Sequence, residues 1–153
     1  MKKNISIIVV LLAVTVGYFI GKLVLNQYGS TQVFAESANL YFFQYGVYSS
    51  EQSVSKNFNL SYDYISLLED DKYHVYIAIC KDEEVKNIIE DYFKENNINV
   101  YVKQKKIDNL TFLETLKQND KMLLESKKDS EIKQIIKQNI NKYKELVVNE
   151  SAD

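Results

Sequence analysis

The 153-residue chain has no proline and no tryptophan, its nineteen basic residues include no arginine, and it holds one cysteine, one histidine and four glycines. Several of these shortages exclude a class of function. Cys80 alone closes no intramolecular disulfide, and within its apolar run it reads as a small buried hydrophobe. It also lies too far from the apolar N-terminal segment to be a lipidation site. His74 and Cys80 share a strand face by simple alternation, but same-face neighbours along a strand are already about 6.6 Å apart, so six positions make no nucleophile–base dyad. Four glycines build no phosphate-cradling loop. The acidic clusters Glu69-Asp70-Asp71 and Asp82-Glu83-Glu84 fall where a turn and a helix start need them, so no metal site is expected. No cofactor and no catalytic residue is expected; the chain reads as a binder, not an enzyme. A net charge of −2 gives no footprint for a polyanion, which argues against nucleic acid. All-lysine basicity, abundant Asn, Ile and Tyr and the absence of Pro match the codon bias of an AT-rich bacterial genome. Single lysines and chance sequons such as Asn59-Leu60-Ser61 therefore carry little weight.

What is present begins with Ile5–Leu25, ISIIVVLLAVTVGYFIGKLVL, whose one charge is Lys22. About 20 apolar residues rising 1.5 Å each cross a hydrocarbon core of about 30 Å. The segment lacks the polar face of a buried soluble helix. It is expected to be a transmembrane helix, with residues 1–4 a cytoplasmic stub. Lys2 and Lys3 precede it and no further lysine follows between Lys22 and Lys56, so the N-terminus stays inside and the remainder is extracytoplasmic. A cleaved signal peptide, with Val33-Phe34-Ala35 as the site, fits less well, because the run is long and the site lies well beyond its end. Residues 26–39, rich in small and polar side chains, read as a linker.

Beyond the linker, Leu40–Ser49 (LYFFQYGVYS) predicts a strand, and Ser49-Ser50-Glu51 a helix start running to about Phe58. Asp63–Leu68 and Tyr73–Cys80 predict a hairpin across the acidic turn. Val85, Ile88, Ile89, Tyr92 and Phe93 space a helix that Asn96-Asn97 ends, and Asn99–Lys105 predicts a last strand. The order β-α-β-β-α-β predicts an α+β fold of the ferredoxin/RNP-like kind, a four-stranded antiparallel sheet with both helices on one face and the other face free. Two more helices are expected, near 110–127 and 130–148. The apolar stripe Ile132, Ile135, Ile136, Ile140, Tyr143, Val147 must be buried, either on the domain itself or in a coiled-coil contact with a second protein.

The first strand, Tyr41-Phe42-Phe43-Gln44-Tyr45-Gly46-Val47-Tyr48-Ser49, resembles the opening of the SPOR (sporulation-related repeat) domain: aromatic or aliphatic, Gln, hydrophobe, Gly, small, aromatic, small polar. Tyr73–Ile79 resembles the second half of that repeat, with Ala78 where the family usually has Gly. The resemblance covers about 39–105, giving a SPOR-like domain at 40–106 and a C-terminal helical extension at 107–153. It implies binding to peptidoglycan glycan strands, often at division or sporulation septa.

Alternation places Phe42, Gln44, Gly46 and Tyr48 on one face, joined by His74, Tyr76 and Ala78 and by Tyr101 with Lys103. Sugars suit such an aromatic, amide-bearing platform, because pyranose C–H faces stack on rings and hydroxyls pair with Gln44, His74 and tyrosine hydroxyls. The expected glycan-binding residues are therefore Phe42, Gln44, Gly46, Tyr48, His74, Tyr76 and Tyr101. Gly46 serves either close ligand approach or a bulge. Ala78 and the C-terminal stripe motivate a second reading, an envelope protein–protein module that has lost glycan binding.

Overall fold

The computed structural model describes residues 37–126 and 128–150. The apolar run 5–25 and most of the linker lie outside the described residues. Among the described residues no helix is long and apolar enough to cross a membrane.

Each element forms for a local reason. β1 (Ala38–Tyr48) is the aromatic run. α1 (Glu51–Asn57) starts where the Ser50 hydroxyl accepts from the Ser53 N–H. β2 (Ile65–Glu69) and β3 (Lys72–Cys80) are joined by Asp70 and Asp71, both at positive φ (48° and 58°). A two-residue hairpin turn requires that conformation, and Asp tolerates it. α2 (Glu83–Glu95) is capped by Asp82, which accepts from Glu84 and Val85, and ends at Asn97 with φ 56°. β4 (Tyr101–Ile107) follows, then α3 (Leu110–Glu125), capped by Asn109, and α4 (Asp129–Glu150).

The fold is α+β, with the four strands in one antiparallel sheet in the order β2-β3-β1-β4. The expected element order holds, but the expected free face does not. Val75–Cys80 is an unbroken buried run, as in a strand covered on both sides. On one side Phe43, Val75, Ile77 and Ala78 pack with Val54 of α1 and with Val85, Ile89 and Phe93 of α2. On the other, Leu40, Phe42, Tyr76 and Ile79 pack with Phe112, Leu113 and Leu116 of α3 and with Ile140 and Tyr143 of α4.

α4 belongs to both cores: Ile132, Ile135 and Ile136 join the first cluster, Ile140 and Tyr143 the second. The space for this crossing comes from β2, which pairs with β3 only over Lys72–Tyr76. Beyond β2, Asn139 Nδ2 donates to the Ile79 carbonyl at 2.9 Å, and Asn119 Nδ2 of α3 donates to Asn139 Oδ1 at 2.6 Å. The strap before β2 is tied to α4 through Asp63, which accepts from Asn141 at 2.8 Å and pairs with Lys137 at 3.5 Å. α3 and α4 are therefore not an appendage; they complete the cores of the sheet. The apolar stripe on α4 is buried within the chain, the first of its two expected fates.

α3 is fastened a second time by Asp120, whose Oδ2 accepts the backbone N–H groups of Lys81 and Asp82, both at 2.8 Å. Burial pushes its carboxyl up to about 6, against the lowering effect of those two bonds. The folded state therefore takes up this proton more readily than the unfolded chain. The group's contribution to stability is full below the ordinary carboxylate value and is lost as pH rises through about 6. A raise of about two units corresponds to about 3 kcal/mol. Urea unfolding of the full chain and of Asp120→Asn at pH 4.5 and pH 7 checks this. The wild type is expected to gain on the variant at the lower pH, and a difference between the two chains that ignores pH removes the argument.

Candidate functional site

Two bulges decide which expected site residues meet. In β1 the pairing passes from Gln44↔Tyr76 to Gly46↔Val75, leaving Tyr45 extra; in β3, Ile77 is extra between Tyr76 and Ala78. Each extra residue reverses the alternation beyond it. Gly46 and Tyr48 therefore turn to the α1/α2 side, where Tyr48 packs on the first core, while Val47 turns to the opposite face. Ala78 turns into the first core. His74 and Cys80, expected on one face, lie on opposite faces. Cys80 is fully buried, its Sγ 3.7 Å from the Asp82 carbonyl, and burial pushes its thiol up, which leaves it inert as a nucleophile.

Gly46 serves its own strand. A Cβ there would stand 3.0 Å from Cε2 and the hydroxyl of Tyr48, so the missing side chain makes room for that ring.

Phe42 and Tyr76 are on the expected face but fully buried. Tyr143 of α4 meets Phe42 edge-on at 5.2 Å, Phe42 meets Tyr76 edge-on at 5.4 Å, and Lys105 Nζ stands 4.3 Å from the centre of the Tyr76 ring. The ring faces on which a sugar would stack are thus occupied by the chain's own side chains.

What stays open is the end of this face away from α3 and α4. Gln44 and Tyr101 are cross-strand partners, and Val47 pairs with His74, which pairs in turn with Leu67. Tyr101 is 65% and Val47 43% exposed, while Gln44 and His74 are half-buried. His74 Nδ1 lies 2.8 Å from Gln44 Oε1 and 3.2 Å from Lys103 Nζ. That nitrogen donates to the amide oxygen or accepts from the ammonium, not both at once. Beside it Glu69 accepts from Lys105 and from the Tyr76 hydroxyl at 3.1 Å, and Lys103 Nζ is 4.0 Å from its other oxygen. Burial opposes the charge on Glu69, but Lys105 foremost, then Tyr76 and His74, outweigh it and hold the carboxyl below its ordinary range.

Of the seven expected residues, Gln44, His74 and Tyr101 share this open strip. Phe42 and Tyr76 lie beneath the cover, and Gly46 and Tyr48 lie on the other face. Sequence reasoning missed Val47, Leu67, Glu69 and Lys105 as members of this face. No group of His, Cys, Asp and Glu among the described residues is arranged to hold a metal ion. Comparison with protein-family models, with curated proteins and with solved structures gives no significant match.

Proposed function

We propose that the chain is a membrane-tethered, non-catalytic interaction module of the bacterial cell envelope. Its single N-terminal helix leaves the domain on the extracytoplasmic side, and it docks a protein partner through the strip of Val47, Gln44, His74, Tyr101 and Lys103. The observation that carries this reading is the burial of Phe42 and Tyr76 under Tyr143 and Lys105, with Tyr101 and Val47 still exposed beside them. A platform for stacked sugars needs open ring faces in a row. A strip with an exposed aromatic anchor, a few polar groups that fix orientation and charge at its edge has instead the make-up of a small protein-docking patch. The pairing order of the strands agrees with a ferredoxin-like core to which α3 and α4 were added.

Peptidoglycan glycan is the second reading, supported by the resemblance of β1 and β3 to the SPOR pattern and by Gln44, His74 and Tyr101 lying together on the open strip. Sedimentation of the full chain, in detergent, with amidase-treated peptidoglycan separates the two. The docking reading expects retention equal to that of an unrelated membrane protein, for the wild type and for Tyr101→Ala alike. Retention of the wild type at about tenfold tighter affinity than Tyr101→Ala would establish glycan binding in its place.

A further inference from the structure

Away from the sheet face, the β3–α2 turn, the start of α2 and α3 enclose a cleft of about 470 Å³, within the roughly 300–1,000 Å³ typical of small-molecule sites. Asp120, 3% exposed, lines it. Its Oδ2 is used by the two backbone N–H groups of the turn, but Oδ1 is buried and has no hydrogen-bond partner among the described residues. An oxygen of this kind, carrying part of a carboxylate charge, is costly to leave unpaired and is relieved by a donor, best a cationic one. On the α2 side stands Glu83; on α3, Lys117 and Lys121 are one turn apart, and all three are exposed and form no ion pair among the described residues. The Tyr41 ring and Leu124, 43% exposed, add apolar surface.

We infer that this cleft binds a small α-amino acid. Its ammonium pairs with Asp120 Oδ1 and Glu83, its carboxylate with Lys117 and Lys121, and its side chain lies against Tyr41 and Leu124. The mixed charge of the lining selects the zwitterion, because a simple amine meets the lysines unpaired and a simple carboxylate meets the two acids unpaired. Residues four apart on a helix have Cβ atoms about 5–6 Å from each other, close enough for both ammonium groups to bracket one carboxylate. Oδ1 is buried, so the entering ammonium reaches it as neighbouring side chains turn aside.

The test is an NMR titration of the detergent-solubilised full chain with leucine, isoamylamine and isovalerate, following the backbone amides of Lys81, Asp82 and Glu83. Leucine is expected to saturate these shifts about tenfold more tightly than either single-charge probe. Lys121→Gln and Glu83→Gln, both at exposed positions and each checked for folding by its thermal melt, are expected to weaken leucine about tenfold, and Asp120→Asn to abolish its binding. Absence of shifts, equal affinity for the three probes, or leucine binding indifferent to Lys121→Gln and Glu83→Gln would overturn the inference.

Discussion

A chain ending at Ser126, with α3 intact but α4 removed, is expected not to fold. α4 buries Ile132, Ile135, Ile136, Ile140 and Tyr143, each under 10% exposed, and places them in both cores of the sheet. At about 1.5–3 kcal/mol for each large apolar side chain, their loss removes on the order of 10 kcal/mol. That is comparable to the whole stability of an ordinary domain, about 5–15 kcal/mol. The truncation also uncovers Phe42, Ile79 and Phe112 and leaves the Ile79 carbonyl without its donor. Circular dichroism on heating should show no cooperative transition for the truncated chain, and its amide spectrum should lose dispersion. A cooperative melt from residues ending at 126 would mean that the sheet and the first three helices suffice, and that α4 is the appendage its position in the sequence suggests.

Asn139→Ala is expected to lower stability by about 2–4 kcal/mol, large for the removal of one small side chain. Asn139 is fully buried where α4 passes β3 and serves two partners at once, donating to the Ile79 carbonyl and accepting from Asn119. Truncation leaves a buried carbonyl and a buried amide N–H unsatisfied, and that desolvation penalty, not the hydrogen bonds themselves, dominates the loss. The melting midpoint should fall by about 10 °C. Asn119→Ala, which keeps the bond to the Ile79 carbonyl, is expected to cost less. Asn119→Ala combined with Asn139→Ala is expected to cost less than the sum of the two single changes, because the pair is shared. Strict additivity in this cycle would show that the two side chains act separately.

Much of this arrangement is legible in the sequence. Ser50, Asp82 and Asn109 mark three helix starts by side chains that accept from the first turn, and Asp70-Asp71 marks the hairpin. The faces of the strands are a different matter. Period-two alternation identifies a face only when one side is wet, and over Val75–Cys80 both sides are covered. In YFFQYGVY the amide of Gln44 just before Tyr45 fits plain alternation as well as a bulge, and in HVYIAIC no charged or amide side chain flanks Ile77, so the reversal of Gly46, Tyr48 and Ala78 is hidden. The signal that the second face is covered was present in Val75–Cys80, six residues without a charged or amide side chain, the pattern of a strand buried on both faces. Its cover was present too, as the stripe on α4, but the stripe alone does not say which surface takes it. The pairing of Lys105 with Glu69 across the rings of Phe42 and Tyr76 depends on strand order and carries no local pattern at all.

The docking account rests on what meets Tyr101, the most exposed aromatic of the open strip. Placing a photo-crosslinking side chain at position 101 of the full chain in living bacterial cells, and comparing the products before and after muramidase digestion, tests it directly. The account predicts a discrete protein adduct, sharp on a gel without digestion and absent when the same probe replaces Gln104, which is exposed and next to the strip residue Lys103 but paired with Tyr41 on the opposite face of the sheet. An adduct that stays with the cell wall and is released only by muramidase would contradict it and assign the strip to glycan.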